Sequence, residues 1–147
     1  SFFSLDGQHG NALAPHKRTF HTFSPDMLLQ DGKPALVYGT MGGEGQPQTQ
    51  AALVTRIVDY GMSVQAAIEA PRWLYGRTWG ASSNTLKLES RIAHDIRLAL
   101  AEKGHDIEVL AYFTDTMGHA GAIWIDPDTN VKFGGADPRG DGVAIGY

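Results

Sequence analysis

The strongest constraint on the fold lies between residues 34 and 58, where a strand pattern changes into a helix pattern across a pair of glycines. The apolar run "PALVYGTM" predicts a strand. Pro47 suits a first helical turn, and apolar residues then recur at helical spacing, at Ala51, Leu53, Val54, Ile57 and Val58. Between the two patterns stands Gly42-Gly43, a pair that helix and strand interiors disfavour. The chain is therefore expected to turn there through a tight corner without side chains.

Two hairpins are predicted near the ends of the chain. Residues 20–29 alternate in polarity, are interrupted at Pro25 and then run apolar, and Asp31-Gly32 suits a hairpin turn back into the 34–41 strand. Residues 121–137 form the pattern of a second hairpin that turns at residues 126–130. The turn sequence "DPDTN" has oxygen ligands for calcium but lacks the glycine and the final glutamate of an EF-hand loop, so it is interpreted as a turn.

Helical patterns occupy the middle of the chain. Gly61 is expected to end the first helix, and Ser63 to cap a second one over residues 64–70. Ser90 is expected to cap a third helix, with apolar residues at Ile92, Ile96, Leu98 and Leu100. Residues 72–76 and 84–90 are expected to be extended before that helix, and residues 105–113 form another strand after it. The predicted order is strand, strand, helix, helix, strand, helix, strand, strand, strand, which indicates an α+β fold: an antiparallel-rich sheet with helices on one face.

Composition limits the possible functions. The 147 residues suffice for one domain with a core, and a net charge of -4 with a small basic cluster at residues 16–18 argues against a nucleic-acid binder. The absence of cysteine excludes disulfides, thiolate zinc sites and a cysteine nucleophile. The six histidines form no HxH or HExxH pair, so no metal site is predicted. No apolar run approaches the roughly 20 residues of a membrane helix, and the compartment cannot be deduced.

The Gly42-Gly43 corner is the first candidate for chemistry. Backbone amides at a strand-to-helix junction can converge on an anion, and glycine lets a substrate approach them. No GK[ST] follows, so an oxyanion is a better ligand than a phosphate, and a plain turn is the other interpretation. His21 lies on the neighbouring predicted strand and could face a pocket, although a surface or structural role is more usual for such a histidine. Thr22 offers a hydroxyl on the other side of that strand, where such hydroxyls are usually ordinary strand residues. In "ADPRGDG", we expect Asp137, Arg139 and Asp141 to form a structural ion-pair cluster.

Several stretches, taken together and in order, resemble one family. They are "FFSLD", "NALAPHKRTFHTFSP", "DGKPALVYGTMGGEGQPQTQ", "VDYGMSVQAAIEAPRW" and "GGADPRGDGVAIGY". The set covers nearly the whole chain and is similar to the C-terminal part of the gamma-glutamyltranspeptidase family. No single stretch is decisive, but the ordered set is specific.

The resemblance implies an N-terminal nucleophile hydrolase with a four-layer αββα sandwich, built from a large and a small subunit. In this family an inactive precursor cleaves itself, and the new N-terminal threonine of the small subunit becomes the nucleophile, with its own α-amino group as base. A gamma-glutamyl or other acyl group passes to that threonine and then to water or an amine, as in glutathione metabolism. Residues 1–147 would be the C-terminal part of the small subunit, with the threonine upstream, the rest of the precursor as partner and no cofactor. The fragment alone is expected to be inactive.

The resemblance also assigns candidate site residues. The family's oxyanion pair falls on Gly42 and Gly43, and its two substrate-carboxylate residues fall on His21 and Thr22, where serines are usual. Met41 stands before the glycine pair, where many members carry proline, and is counted with the substrate-binding residues.

A further departure from the family pattern concerns the substrate's α-amino group. The acidic stretch that grips this group in many members is replaced by residues 1–3, "SFF". Ser1 lies within this substrate-binding segment and is disfavoured as a nucleophile. These departures indicate a divergent, acylase-like branch. The alternatives are an acylase for β-lactam side chains or acyl-peptides, and a non-catalytic binding or scaffold relative.

Overall fold

The computed structural model describes residues 4–18, 20–78 and 80–146. Two 3-10 turns lie in these ranges, at Gly43–Gly45 and Asp115–Met117. The helices are α1 (Gln46–Val58), α2 (Val64–Glu69) and α3 (His94–Glu102). The strands are β1 (Asp26–Gln30), β2 (Lys33–Met41), β3 (Trp73–Tyr75), β4 (Leu86–Glu89), β5 (Ile107–Leu110), β6 (His119–Ile125) and β7 (Lys132–Ala136).

An antiparallel sheet with the strand order β1-β2-β6-β7 carries the main core. The register of β2 and β6 pairs Leu36 with Trp124 and Met41 with His119. Helices α1 and α2 pack on one face of this sheet, and α2 approaches β7 so closely that a Cβ at Gly135 would lie 2.8 Å from the Ile68 side chain. The buried cluster between helices and sheet comprises Leu36, Leu53, Ile57, Val64, Ala67, Ile68, Ala120 and Ala122. The predicted α+β layering, with helices on one face of an antiparallel-rich sheet, is confirmed.

A second sheet of three strands has the order β3-β4-β5. Strands β3 and β4 are antiparallel, and β4 and β5 are parallel, with α3 as the crossover that a parallel pair requires. The extended stretches expected at residues 72–76 and 84–90 are confirmed as β3 and β4, but the expected element order counted them as one strand and is wrong on that point. The reason is a chain reversal between them, where the Gly76 amide donates to the Thr85 carbonyl over 3.0 Å.

Two further expectations about element ends are wrong. Residues 20–25 are not a strand; β1 begins at Asp26, directly after Pro25, which lacks a backbone donor for a strand ladder. Helix α3 begins at His94 after Ala93, without a side-chain cap, so Ser90 does not cap it. The apolar side chains of Ile96 and Leu98 on α3 are each 51% exposed.

The turn chemistry follows the sequence closely. Asp31 and Gly32 adopt φ angles of 52° and 77° in the β1–β2 hairpin, as the Asp-Gly pair predicts. Ser63 caps α2, accepting a hydrogen bond from the Ala66 amide over 3.4 Å. The β6–β7 hairpin closes through the Asp126 amide, which donates to the Val131 carbonyl. In the described ranges, no helix is long and apolar enough to cross a membrane.

Candidate active site

The corner after β2 is a turn of unusual backbone geometry. Gly42 and Gly43 have φ angles of 156° and 51°, which residues with a side chain rarely adopt. The Gly45 amide closes the turn by donating to the Gly42 carbonyl over 2.8 Å. Among the backbone hydrogen bonds of the described turns, loops and caps, none has the Gly42 or the Gly43 amide as its donor. Two consecutive N–H groups therefore have no acceptor among the described residues, and they lie at the start of the 3-10 turn that leads into α1.

The corner rests on the start of β6. Gly118 has a φ of 74°, and a Cβ there would overlap the Met41 carbonyl oxygen. A Cβ at Gly42 would in turn lie 3.4 Å from the Gly118 Cα. Beneath this contact, Arg72 Nη1 donates to the Gly118 carbonyl over 3.0 Å and to the Met117 carbonyl over 3.3 Å. A buried arginine thus holds the backbone that supports the glycine pair.

Arg72 belongs to a buried ion network that joins the two sheets. It pairs with Asp137 at 2.6 Å, Asp137 pairs with Arg139 at 3.0 Å, and Arg139 pairs with Glu89 on β4 at 2.7 Å. These four side chains are at most 3% exposed. The network is completed at its edge by Arg91, 2.8 Å from Glu89. Charges this deep are stable in a protein only when they are paired and hydrogen-bonded, as these are.

The environment shifts the pKa values of the network. Burial lowers the pKa of Arg72 to about 10, partly offset by Asp137. Burial raises the pKa of Asp137, but the Arg72 charge and the Ala120 amide outweigh it and hold the pKa below its ordinary value. Burial likewise raises the pKa of Glu89, and the hydrogen bonds from Arg139 and from the Arg72 amide bring it below its ordinary value.

The predicted cluster at "ADPRGDG" is confirmed for Asp137 and Arg139. Asp141 is exposed and makes no ion pair in the described part of the chain. Sequence reasoning missed Arg72 and Glu89. Alternation along β4 gives no signal for Glu89, because it falls on the same face as the partly exposed Lys87.

The structure brings the predicted substrate segment to the corner. Gln46, the first residue of α1, donates from Nε2 to the Thr22 carbonyl over 2.9 Å and to the Gly43 carbonyl over 3.1 Å. The side chains of His21 and Thr22 are exposed, and the His21 ring contacts the Phe23 ring at 5.7 Å between centroids. Met41, 42% exposed, lies beside the glycine pair. The substitution at residues 1–3 lies outside the described residues.

A salt bridge ties the corner to the loop after β3. Arg77 donates from Nε and Nη2 to the two carboxylate oxygens of Glu44, over 3.0 and 2.7 Å. The hydrogen bond from Arg77 lowers the pKa of Glu44 below its ordinary value. In the described part of the chain, no group of three or more histidine, aspartate or glutamate side chains could hold a metal ion.

Comparison with known proteins decides the family. The family model described as gamma-glutamyltranspeptidase matches residues 1–147, the whole chain. The chain belongs to the gamma-glutamyltranspeptidase family. Among curated relatives, it is 56% identical over 146 residues to an oxamate amidohydrolase proenzyme of Klebsiella pneumoniae. It is 52% identical over 146 residues to the glutathione hydrolase-like YwrD proenzyme of Bacillus subtilis. Each alignment covers 99% of this chain but only 27% and 28% of those relatives, so the chain spans about a quarter of their length.

Solved structures agree with this membership. A cephalosporin acylase from Bacillus halodurans superposes with a TM-score of 0.77 at 38% identity, covering 99% of this chain and 26% of that chain. A mutant gamma-glutamyltranspeptidase from Helicobacter pylori gives 0.73 at 28% identity, covering 91% of this chain and 69% of that chain. The expected fold, an α+β part of an N-terminal nucleophile hydrolase, is confirmed. The expected similarity to acylases is also confirmed, since a cephalosporin acylase is a neighbour beside the gamma-glutamyltranspeptidase.

Proposed function

We propose that residues 1–147 form the C-terminal part of the small subunit of an amidohydrolase or acyltransferase whose nucleophile is an N-terminal threonine outside this chain. The observation that best supports this proposal is the corner at Gly42 and Gly43, whose two N–H groups donate to no backbone acceptor among the described residues. The rest of the precursor, including the large subunit, is the partner that completes the site. The curated relatives of this chain are proenzymes, and one of them is a glutathione hydrolase of Escherichia coli that is 32% identical to it.

The proposed reaction has two stages. The threonine hydroxyl adds to the carbonyl carbon of an amide while the α-amino group of the same residue takes its proton. The negative oxygen of the tetrahedral intermediate accepts hydrogen bonds from the Gly42 and Gly43 amides. The C–N bond then breaks, the amine leaves with the proton, and an acyl ester remains on the threonine. Water or an acceptor amine, losing a proton to the α-amino group, attacks that ester through a second oxyanion in the same corner. The ester C–O bond then breaks, the threonine oxygen regains the proton, and the acid or the new amide leaves.

The substrate pocket is proposed to include Met41 and the exposed segment at His21 and Thr22. The Thr22 hydroxyl and the His21 ring offer hydrogen-bond donors for a substrate carboxylate. Both side chains are exposed in the described structure and lie on the segment that Gln46 joins to the corner. A gamma-glutamyl amide is the first candidate substrate, by membership of the family.

A short amide such as oxamate is the second candidate substrate. It is supported by the 56% identity to an oxamate amidohydrolase, while the glutathione hydrolase-like YwrD proenzyme, 52% identical, supports the first candidate. Oxamate places a carboxylate directly beside the scissile amide, and its hydrolysis would release ammonia and leave oxalate. An acylase of the cephalosporin type is the remaining family alternative.

Trapping the acyl-enzyme tests the proposal. The processed full-length protein is incubated with a gamma-glutamyl anilide, with oxamate and with a glutaryl amide, and the small subunit is analysed by mass spectrometry. We expect an acyl mass on the N-terminal threonine and turnover of at least one substrate, while residues 1–147 alone are inactive. An adduct on a residue of 1–147 would contradict the proposal. A full-length protein that neither processes nor turns over any of the three would instead support a binding or scaffold protein.

A further inference from the structure

We propose that Gln46 is a positioning residue that couples the substrate segment to the oxyanion corner. The inference rests on the proposed function, because it concerns the same site. It goes further by assigning a role to a residue that touches neither the substrate nor the reacting atoms.

Gln46 joins two parts of the site with one side-chain amide. Its Nε2 carries two N–H groups, and they reach the Thr22 carbonyl at 2.9 Å and the Gly43 carbonyl at 3.1 Å. The residue is 8% exposed, although glutamine is usually a surface residue. Both carbonyls lie outside the strands, so no strand ladder joins the two segments at these points. The side-chain amide of Gln46 links them directly.

Gln50 lies one helical turn further along α1 and holds the substrate segment at a second point. Its Nε2 donates to the Ser24 carbonyl over 2.7 Å, and it is also 8% exposed. Residues 46 and 50 lie on the same face of the helix because side chains four apart are neighbours. The two glutamines therefore fix residues 22–24 on α1, but Gln46 alone also contacts the corner.

Gln48 provides a matched control on the same helix. Its Nε2 donates to the Tyr75 carbonyl over 2.9 Å and its Oε1 accepts from the Tyr75 amide over 2.8 Å. It therefore makes two backbone hydrogen bonds, as Gln46 does, but they join α1 to β3 in the second sheet. Replacing Gln48 removes as many hydrogen bonds without touching the substrate segment or the glycine pair.

The physical consequence follows from the glycine geometry. Neither Gly42 nor Gly43 has a side chain to restrict its backbone, so the corner depends on its hydrogen bonds for position. Displacing a site element by about 1 Å can lower catalysis on the order of 10²-fold. The Gln46 backbone N–H also donates to the Gly43 carbonyl and remains in a side-chain variant. Loss of the Gln46 side-chain amide therefore removes one of two hydrogen bonds at the Gly43 carbonyl together with the bond to the Thr22 carbonyl, whereas loss of the Gln50 amide affects only the substrate segment.

The experiment compares Gln46→Met, Gln50→Met and Gln48→Met in the processed full-length protein, with rates normalised to the amount of processed small subunit. Methionine keeps the length and helix propensity of glutamine and removes the donor. For Gln46→Met we expect kcat/KM to fall on the order of 10²-fold, with kcat itself about 10-fold lower. For Gln50→Met we expect a KM about 5-fold higher with little change in kcat, the pattern of lost ground-state binding. Gln48→Met is expected to leave both parameters within about twofold.

The outcomes separate this inference from the function on which it rests. If Gln46→Met behaves like Gln48→Met while the wild type is active, the positioning role is overturned and the proposed function stands. If Gln46→Met lowers kcat only in proportion to a loss of folded protein, with KM unchanged, the role is likewise overturned. A wild-type protein that turns over no acyl substrate overturns both.

Discussion

Three glycines at the site meet two different physical requirements. Gly42 and Gly43 adopt backbone angles that side chains disfavour, and Gly118 leaves no space for a Cβ beside the Met41 carbonyl. The first two give the corner its shape, and the third allows β6 to support it from below. A substitution at Gly42 or Gly43 should therefore strain the backbone, and one at Gly118 should also overlap the Met41 carbonyl.

Gly43→Ala tests the corner at the scale of one methyl group. The φ of 51° places the new side chain in the left-handed region, and in the proposed reaction its methyl group would stand beside the amide that binds the oxyanion. Because strain and the methyl group displace that donor from the oxyanion, we expect turnover by the full-length protein to fall on the order of 10²-fold. Steady-state kinetics measures this fall in turnover, with whichever of the gamma-glutamyl anilide, oxamate and the glutaryl amide the wild type turns over fastest.

Gly61→Ala is the control for the glycine substitution. Gly61 has a φ of 64°, and a Cβ there would meet no atom within 4 Å. Alanine therefore has a similar backbone cost of about 1–2 kcal/mol there, far along the chain from the corner. Equal losses of activity in the two variants would assign the effect to backbone strain and contradict the role of Gly43.

Residue-level prediction from the sequence succeeded where a residue type has one dominant physical use. The conformational preferences of three short sequences predict a corner at Gly42-Gly43, a turn at Asp31-Gly32 and a helix cap at Ser63. Gln46 and Glu89 give no such signal, because their burial depends on segments distant in sequence. The spacing of four residues between Gln46 and Gln50 in "QPQTQ" indicates that they share a helix face.

At the scale of elements, local patterns predicted strands and helices better than their ends. The two extended stretches predicted at residues 72–76 and 84–90 are β3 and β4, but the predicted order counted them as one strand, because no period of the sequence shows the chain reversal between them. Helix α3 begins four residues after Ser90, and its N-cap is an alanine without a side-chain bond. Ser63 and Ser90 were both expected to cap helices, but Ser63 caps α2 and Ser90 does not cap α3.

Ser63→Ala tests the cap that the structure does contain. The Ser63 hydroxyl accepts from the Ala66 amide, and losing an N-cap costs about 1 kcal/mol. We expect faster hydrogen exchange of the first-turn amides of α2 in the full-length protein, by about fivefold. Ser90→Ala should leave exchange in α3 unchanged. Equal effects at both helices would contradict the assignment of the caps.

On the scale of the whole molecule, the ion network connects parts that lie far apart in sequence. Glu89 comes from the second sheet, Arg72 from the segment between α2 and β3, and Asp137 with Arg139 from the end of β7. Arg139 also donates to the carbonyls of Ile68 and Ala70 at the end of α2. The network therefore positions the helix layer, both sheets and the backbone under the corner with one set of charges.

The network makes stability depend on acid in a defined direction. The folded-state pKa values of Glu89 and Asp137 lie below their ordinary values, which are about 4.3 and 3.9 in unfolded chains. The unfolded chain therefore binds more protons between those ordinary values and the lower folded ones, and the free energy of unfolding falls as the pH drops through this window. Above about pH 5 both carboxylates are ionised in both states, and their contribution is complete.

Glu89→Gln separates this effect from general acid sensitivity. The substitution leaves Arg139 buried without its main partner, so the free energy of unfolding at pH 7 should fall by about 3–5 kcal/mol. The variant should also lose part of the acid dependence, because one of the two shifted carboxylates is gone. Glu108→Gln is the control, since Glu108 is 49% exposed and 3.7 Å from Lys87, and it should resemble the wild type. Urea unfolding between pH 3 and 7 measures the free energy of unfolding of the full-length wild type and of the two variants. If the stability of Glu89→Gln depended on pH as strongly as that of the wild type, the role of Glu89 in the acid dependence would be contradicted.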